Sequence, residues 1–163
     1  MTPATSIPDS PSLLVRTPPP LLFAAALAIG LVFEREAPLA LLPAGAAAYG
    51  TPMAAMLLAG GAALAVSVAA CFRMRHTTLN PVGEPSSLVV DGPFRATRNP
   101  IYVAVTIIVL GVSVWRNTAW PVVFLPAPLL VLHLAIIPFE ERSLAAQFGD
   151  DYRAYCARVR RWL

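Results

Sequence analysis

The chain has 163 residues, of which 57% are hydrophobic and only 13% charged, against roughly 45–50% and about 25% in soluble domains. Its 12 basic residues are all Arg and its acidic residues number 9, for a formal charge of +3. These figures exclude a wholly disordered chain, a disulfide scaffold or cysteine metal site, since Cys71 and Cys156 stand alone and far apart, and a nucleic-acid binder, which needs its Arg on a polar surface. What remains is one all-α domain of an integral membrane protein.

Residues 1–17 read as a disordered tail, because prolines crowd them without periodicity. The remainder, 18–163, reads as a single membrane domain. A spanning helix takes about 20 mostly apolar residues, and four charge-poor runs qualify, at about 18–33, 52–73, 99–115 and 118–139. The first opens on Pro18, Pro19 and Pro20 and closes on Glu34, Arg35 and Glu36. Its upstream Arg16 and alanine-rich body imitate a signal peptide, but the acidic cluster and the apolar segment that follow predict an uncleaved anchor. Residues 37–49 are apolar yet broken by Pro38, Pro43 and Gly45, so an interfacial or re-entrant segment is expected there. Gly60 and Gly61 in the second run would permit close helix packing, and Cys71 reads as core. The first and third runs are short, which calls for snorkelling Arg or local bilayer thinning.

Arginine placement sets the orientation. Arg16, Arg73, Arg75, Arg95, Arg98, Arg142, Arg153, Arg158, Arg160 and Arg161 fall on one side of a four-span arrangement, leaving Arg35 and Arg116 on the other. The positive-inside rule then puts both termini in the cytoplasm. Trp115 and Trp120 would flank the outer hairpin as an aromatic belt. The all-Arg, Ala- and Pro-rich composition is that of a high-GC bacterial genome, and hence of an inner membrane.

The chemistry falls on the inner face. After His76 and Asn80-Pro81, Asp91-Gly92-Pro93 is turn chemistry, with Pro93 suited to open a short helix. Asn99-Pro100 is a helix start, Asn99 as N-cap and Pro100 at the first position. The positive end of that helix, strengthened by Arg95 and Arg98, suits a carboxylate or phosphate; two Arg reaching lipid headgroups beside a plain cap would have the same sequence. His133 lies within the fourth run, and Glu140, seven residues on, shares its helical face, with Glu141 about a quarter-turn away. Pro138 should loosen the helix there and free carbonyls. An ionisable group within a span is a functional candidate, although His133 bonded to a neighbouring helix, or Glu140 and Glu141 balancing Arg142 and Arg98, would serve structure alone. Beyond them Phe139, Leu144 and Phe148 keep helical spacing to Gly149. Asp150 then caps a second amphipathic helix with Tyr152, Tyr155, Val159 and Trp162 on one side. Residues 140–163 are therefore expected as interfacial helices on anionic lipid. No metal site is expected.

Arg98-Asn99-Pro100-Ile101-Tyr102, followed one span later by Glu140-Glu141-Arg142-Ser143-Leu144 and by Phe148-Gly149-Asp150-Asp151-Tyr152-Arg153-Ala154-Tyr155, resembles the isoprenylcysteine carboxyl methyltransferase and phospholipid methyltransferase superfamily. The pattern there is Arg-His-Pro-x-Tyr-x-Gly, an apolar span, then Glu-Glu. The resemblance covers the chain from about Thr77 onward. Asn99 stands where the pattern has His, and Ala104 where it has Gly, a change that would narrow the approach of backbone to cofactor.

The resemblance implies S-adenosylmethionine as cofactor. Arg98 and the helix start at Asn99 and Pro100 would then take its carboxylate, Glu140 and Glu141 its hydroxyls and ammonium, and Tyr102 its sulfonium side. His133 would line the adenosine cavity or approach the acceptor. The acceptor would be a lipophilic small molecule or lipid entering between spans, with membrane lipids the other partner. A carboxylate acceptor needs no base, only an orienting cation such as Arg95; an amine must lose a proton to His133 or Glu140. The sequence leaves isoprenylcysteine-like carboxyl O-methylation and phospholipid ethanolamine N-methylation both open. Two rivals stand beside them: an NADPH-dependent membrane reductase, for which the chain is short, and a non-catalytic membrane scaffold, favoured only by Ala104.

Overall fold

A computed structural model describes residues 18–74 and 87–163. The expected tail at 1–17 lies outside the described residues, as do Arg75, His76, Asn80 and Pro81. Among the described residues all regular structure is helical: α1 is Pro19–Glu36, α2 Ala47–Met74, α3 Pro100–Arg116, α4 Trp120–Phe124, α5 Pro126–Val131 and α6 Ile137–Arg158. A 3-10 turn, Gly92–Arg95, precedes α3, and a π-helical turn, Leu132–Ile136, joins α5 to α6.

Two helical stretches are long and apolar enough to cross a membrane, Ala48–Met74 and Trp120–Arg158, whereas Pro100–Arg116 is shorter. At ~1.5 Å per residue a 27-residue helix spans roughly 40 Å, more than the ~30 Å hydrocarbon core. The α2 helix starts five residues before the expected Pro52, which it carries inside its own N-terminal portion.

The fourth run is not one regular helix, and its prolines explain why. Pro126 has no N–H for the Val122 carbonyl, so the Leu125 N–H takes it instead at 3.3 Å, a tight turn that separates α4 from α5. The disruption expected at Pro138 appears just upstream of it. Ile137 N–H reaches back five residues to the Leu132 carbonyl, and this wider turn relieves the clash of a proline ring with the carbonyl four residues before it.

The α2 helix packs along α3, and α1 packs on α4. The first contact depends on Gly61, where a Cβ would stand 2.7 Å from Ile108 Cγ1 and 3.0 Å from the Ala104 carbonyl; Gly60 faces open space. Close packing thus belongs to Gly61 and not to its neighbour. Phe23, Tyr102, Val109, Leu125, Leu132, Ile136 and Ile137 form one core cluster. Val68, Cys71, Val89, Phe94, Tyr152 and Tyr155 form another under the inner loop, with Cys71 in the core as expected.

At the end opposite the inner loop, residues 37–46 form turns, tied to the turn after α3. Glu34 carboxylate accepts from Thr118 Oγ1 at 2.6 Å and from Leu39 N–H at 3.2 Å, Leu42 N–H donates to Asn117 Oδ1 at 2.8 Å, and Trp120 Nε1 donates to the Ala37 carbonyl at 2.6 Å. The Thr118 bond first, then the Leu39 bond and the nearby Arg116 charge hold Glu34 below the usual carboxylate range.

The C-terminal helices depart from expectation in part. Gly149, at φ 51° and ψ −119°, does divide α6 at the expected boundary, one residue before the expected cap Asp150, in a backbone geometry that glycine adopts without a Cβ penalty. The helix then ends at Arg158, and Val159 is extended. Tyr152 and Tyr155 are buried on one helix face as expected, but Val159 and Trp162 belong to an extended tail. Helical periodicity cannot register a chain that leaves the helix to follow another element's end.

Candidate functional site

Thr97, Arg98 and Asn99 lead into α3, and Pro100 sits in its first turn, where a missing N–H is harmless. Asn99 holds the N-cap position at φ −127° and ψ 53°, but its side chain makes no capping bond. Its Nδ2 donates to the Arg161 carbonyl at 2.9 Å, joined there by Thr97 Oγ1 at 3.0 Å, and the Arg98 N–H donates to the Arg160 carbonyl at 2.9 Å. The cap expected of the Asn99 side chain is therefore corrected: tail carbonyls have drawn its amide outward. Residues 159–163 lie across the helix start, the place a ligand carboxylate was expected to take.

The Arg98 side chain turns toward α6. Its Nη1 donates to Cys156 Sγ at 2.6 Å and stands 3.3 Å from Glu141 Oε1, while its buried Nε finds no acceptor among the described residues. Burial works against the charge, but the Glu141 carboxylate, with Cys156 and Tyr152 beside it, outweighs burial and holds the guanidinium above its ordinary pKa.

Adjacent helical residues diverge by about 100°, and the tandem glutamates divide accordingly. Glu141 faces Arg98 and is gripped from its other side by Arg161, Nε to Oε1 at 3.1 Å and Nη2 to Oε2 at 2.5 Å. Glu140 turns to α3, where its Oε1 accepts the Tyr102 hydroxyl at 2.7 Å. Beside the Arg98–Glu141 pair opens a cavity of about 450 Å³ lined by Arg98, Pro138, Glu141, Arg142, Ala145, Tyr152, Arg153 and Cys156. That size falls in the ~300–1,000 Å³ range of small-molecule sites. A cationic helix approach and an anionic one thus meet at one cavity, while Tyr102 and Glu140 meet each other next to it.

The other expected residues lie elsewhere. Arg95 is exposed on the 3-10 turn and does not line this cavity. His133 is exposed on the π turn, where its Nδ1 accepts Trp162 Nε1 at 3.3 Å, and it too stands off the lining. The regular 100° step that put it on the Glu140 face does not hold across a turn of wider pitch. Ala104 is fully buried, its carbonyl against Gly61 of α2. The small residue missing at 104 is supplied across the helix contact, so the change bears on packing and not on the cavity.

Sequence reasoning passed over Arg161 and Cys156. Cys156 was legible in hindsight, four residues after Tyr152 and so on the same helix face. Arg161 carried no signal, because an Arg in a non-helical tail has no register.

Compared with known proteins, residues 50–151 match the family model of phospholipid methyltransferases. The stretch includes the cavity's Arg98 and Glu141 and stops short of the tail that closes over them. An uncharacterized protein of Haemophilus influenzae is 37% identical over 67 residues, which is 39% of this chain and 100% of that protein. No solved structure matches. Most of α2, all of α3, its Arg-Asn-Pro start and the tandem glutamates fall within the matched stretch, and the chain belongs to the phospholipid methyltransferase family, within the superfamily that also holds the isoprenylcysteine carboxyl methyltransferases.

Proposed function

We propose that the chain uses S-adenosylmethionine to methylate a lipophilic acceptor at the cytoplasmic face of a bacterial inner membrane, in the manner of an isoprenylcysteine carboxyl O-methyltransferase. The observation that carries this reading is the cavity beside the Arg98–Glu141 pair. The lining fits an amino-acid nucleoside on three counts. The volume is adequate, a guanidinium and a carboxylate stand side by side on the lining for a carboxylate and an ammonium or hydroxyl, and Arg98 Nε still has a hydrogen to give. S-adenosylmethionine would supply an electrophilic methyl group there. The chain's own contribution is to bind the amino-acid end through Arg98 and Arg142, hold the polar edge through Glu141, and exclude water with the apolar sides of Pro138, Ala145 and Tyr152. In this reading α1 and α3 span alongside the two longer apolar stretches, both termini face the cytoplasm, and lipid enters laterally.

A specific contact favours a second acceptor class. An ethanolamine headgroup must lose a proton, and Glu140, bonded to Tyr102 at 2.7 Å and next in the chain to the cavity's Glu141, is the carboxylate that would receive it. Phospholipid ethanolamine N-methylation is therefore the alternative. The test of the donor is calorimetric titration of the detergent-purified chain with S-adenosylhomocysteine and with NADPH. Binding of the thioether alone is expected; binding of NADPH alone would make the protein a reductase, and binding of neither a scaffold.

A further inference from the structure

Arg98 and Glu141 are close enough to pair fully, yet they do not. Only Arg98 Nη1 approaches the carboxylate, at 3.3 Å, its shortest contact is instead the Cys156 sulfur, and its Nε is buried with no acceptor among the described residues. The cause is on the other side of Glu141. Arg161 holds both carboxylate oxygens in a two-point grip, at 3.1 and 2.5 Å, and a planar guanidinium in that geometry fixes the carboxylate plane. Arg161 is itself fixed, since its carbonyl accepts Asn99 Nδ2 and Thr97 Oγ1 and its neighbours are pinned by Arg98 N–H and by His133.

We infer that Arg161 is a positioning residue of the donor site: by holding both Glu141 oxygens it keeps that carboxylate from closing a two-point pair with Arg98, and so leaves the guanidinium available to the carboxylate of an amino-acid ligand. Without Arg161, Glu141 turns onto Arg98, closes a two-point pair of its own, and removes the cation from the cavity. The inference rests on the donor reading above. It makes the extended tail, which lies beyond the matched family stretch at 50–151, part of the binding site.

Two nucleoside thioethers test it: S-adenosylhomocysteine, which carries the amino-acid end, and 5′-methylthioadenosine, which lacks it. Calorimetry on the full chain should show tighter binding of the first. In Arg161→Ala that preference should fall by about tenfold, while the methylthioadenosine affinity stays within about twofold. Arg161→Lys, which keeps the charge but not the two-point grip, should recover part of the preference. An equal loss of both ligands would make Arg161 a structural residue and overturn the inference, as would an Arg161→Ala chain that discriminates like the wild type. A wild-type chain that binds neither thioether overturns the donor reading and this inference together, and so is told apart from the two failures specific to Arg161.

Discussion

Replacing Glu141 by Gln is the sharpest perturbation of the site. The carboxylate serves two guanidiniums whose side chains, like its own, are roughly three-quarters or more buried. Gln keeps one oxygen acceptor and turns an NH₂ donor toward the Arg161 Nη2 that now sits 2.5 Å from Oε2, so one charge-assisted bond is replaced by a donor–donor conflict. A hydrogen bond to a charged group is worth about 1.5–3 kcal/mol net, and breaking one partner out of a fully buried pair costs about 3–5 kcal/mol. The partial exposure here places the loss near the lower figures, at about 2–3 kcal/mol. If Glu141 also holds the ligand's ammonium or hydroxyls, S-adenosylhomocysteine affinity should fall by roughly 30- to 150-fold. Calorimetry on detergent-purified protein measures this, with a thermal melt to confirm that the variant is folded. Glu140→Gln is the internal control: Glu140 faces Tyr102 and not the cavity, so its affinity should stay within about threefold while turnover falls. Should Glu141→Gln bind within about twofold of wild type, the cavity beside the Arg98–Glu141 pair is not the donor site.

Three further outcomes are expected. Tyr102→Phe removes the donor to Glu140 Oε1 and should lower stability by about 1–2 kcal/mol, read as a lower midpoint of thermal inactivation in detergent; no change would mean that the pair is not formed in the folded protein. Gly61→Ala places a Cβ 2.7 Å from Ile108 Cγ1 and should destabilise by about 1–3 kcal/mol, whereas Gly60→Ala, facing open space, should be neutral or slightly stabilising; equal effects would refute the α2–α3 contact. Glu34 is held below its ordinary value of 4.5, so its stabilising effect is complete at neutral pH and is lost as pH falls below that value. Melting midpoints followed downward in pH should therefore drop more steeply for wild type than for Glu34→Gln, and parallel curves would remove Glu34 from any role in tying residues 37–46 to the turn after α3.

How much was legible depended on whether a residue's partner lay within helical register. The third helix was read to within a residue at either end, because Asn99-Pro100 and the apolar run are local signals. The meeting of Arg98 with the glutamates was read from a family pattern and has a geometric counterpart in the 3.3 Å contact to Glu141. His133 stands off the cavity lining for a definite reason: periodicity assumes a constant pitch, and His133 itself lies in the π turn, Leu132–Ile136, that precedes Pro138. Trp162 was misplaced for another, since Val159 turns extended and the tail then follows tertiary contacts that no local pattern encodes. Arg161 belongs with it, and so does the unmade cap of Asn99, whose amide is claimed by a carbonyl 62 residues away.

That long-range closure bears on why the two glutamates are adjacent. Neighbours on a helix point about 100° apart, so one short motif can address two compartments. Glu141 looks to the cavity shared by Arg98, Arg142 and Tyr152, while Glu140 looks to Tyr102 in the apolar core cluster that also takes Trp162 from the tail. A soluble ligand approaching the first carboxylate and a lipidic one approaching the second would arrive from different sides of α6 and meet at its Pro138 end. On the proposed reading the acceptor class would be decided at Tyr102 and Glu140, not at the cavity. Substituting that pair should change the acceptor used in a radiolabelled methyl-transfer assay with prenylcysteine and phosphatidylethanolamine, while leaving S-adenosylhomocysteine binding intact. A Tyr102→Phe, Glu140→Gln chain that loses thioether binding would show that the two compartments are one.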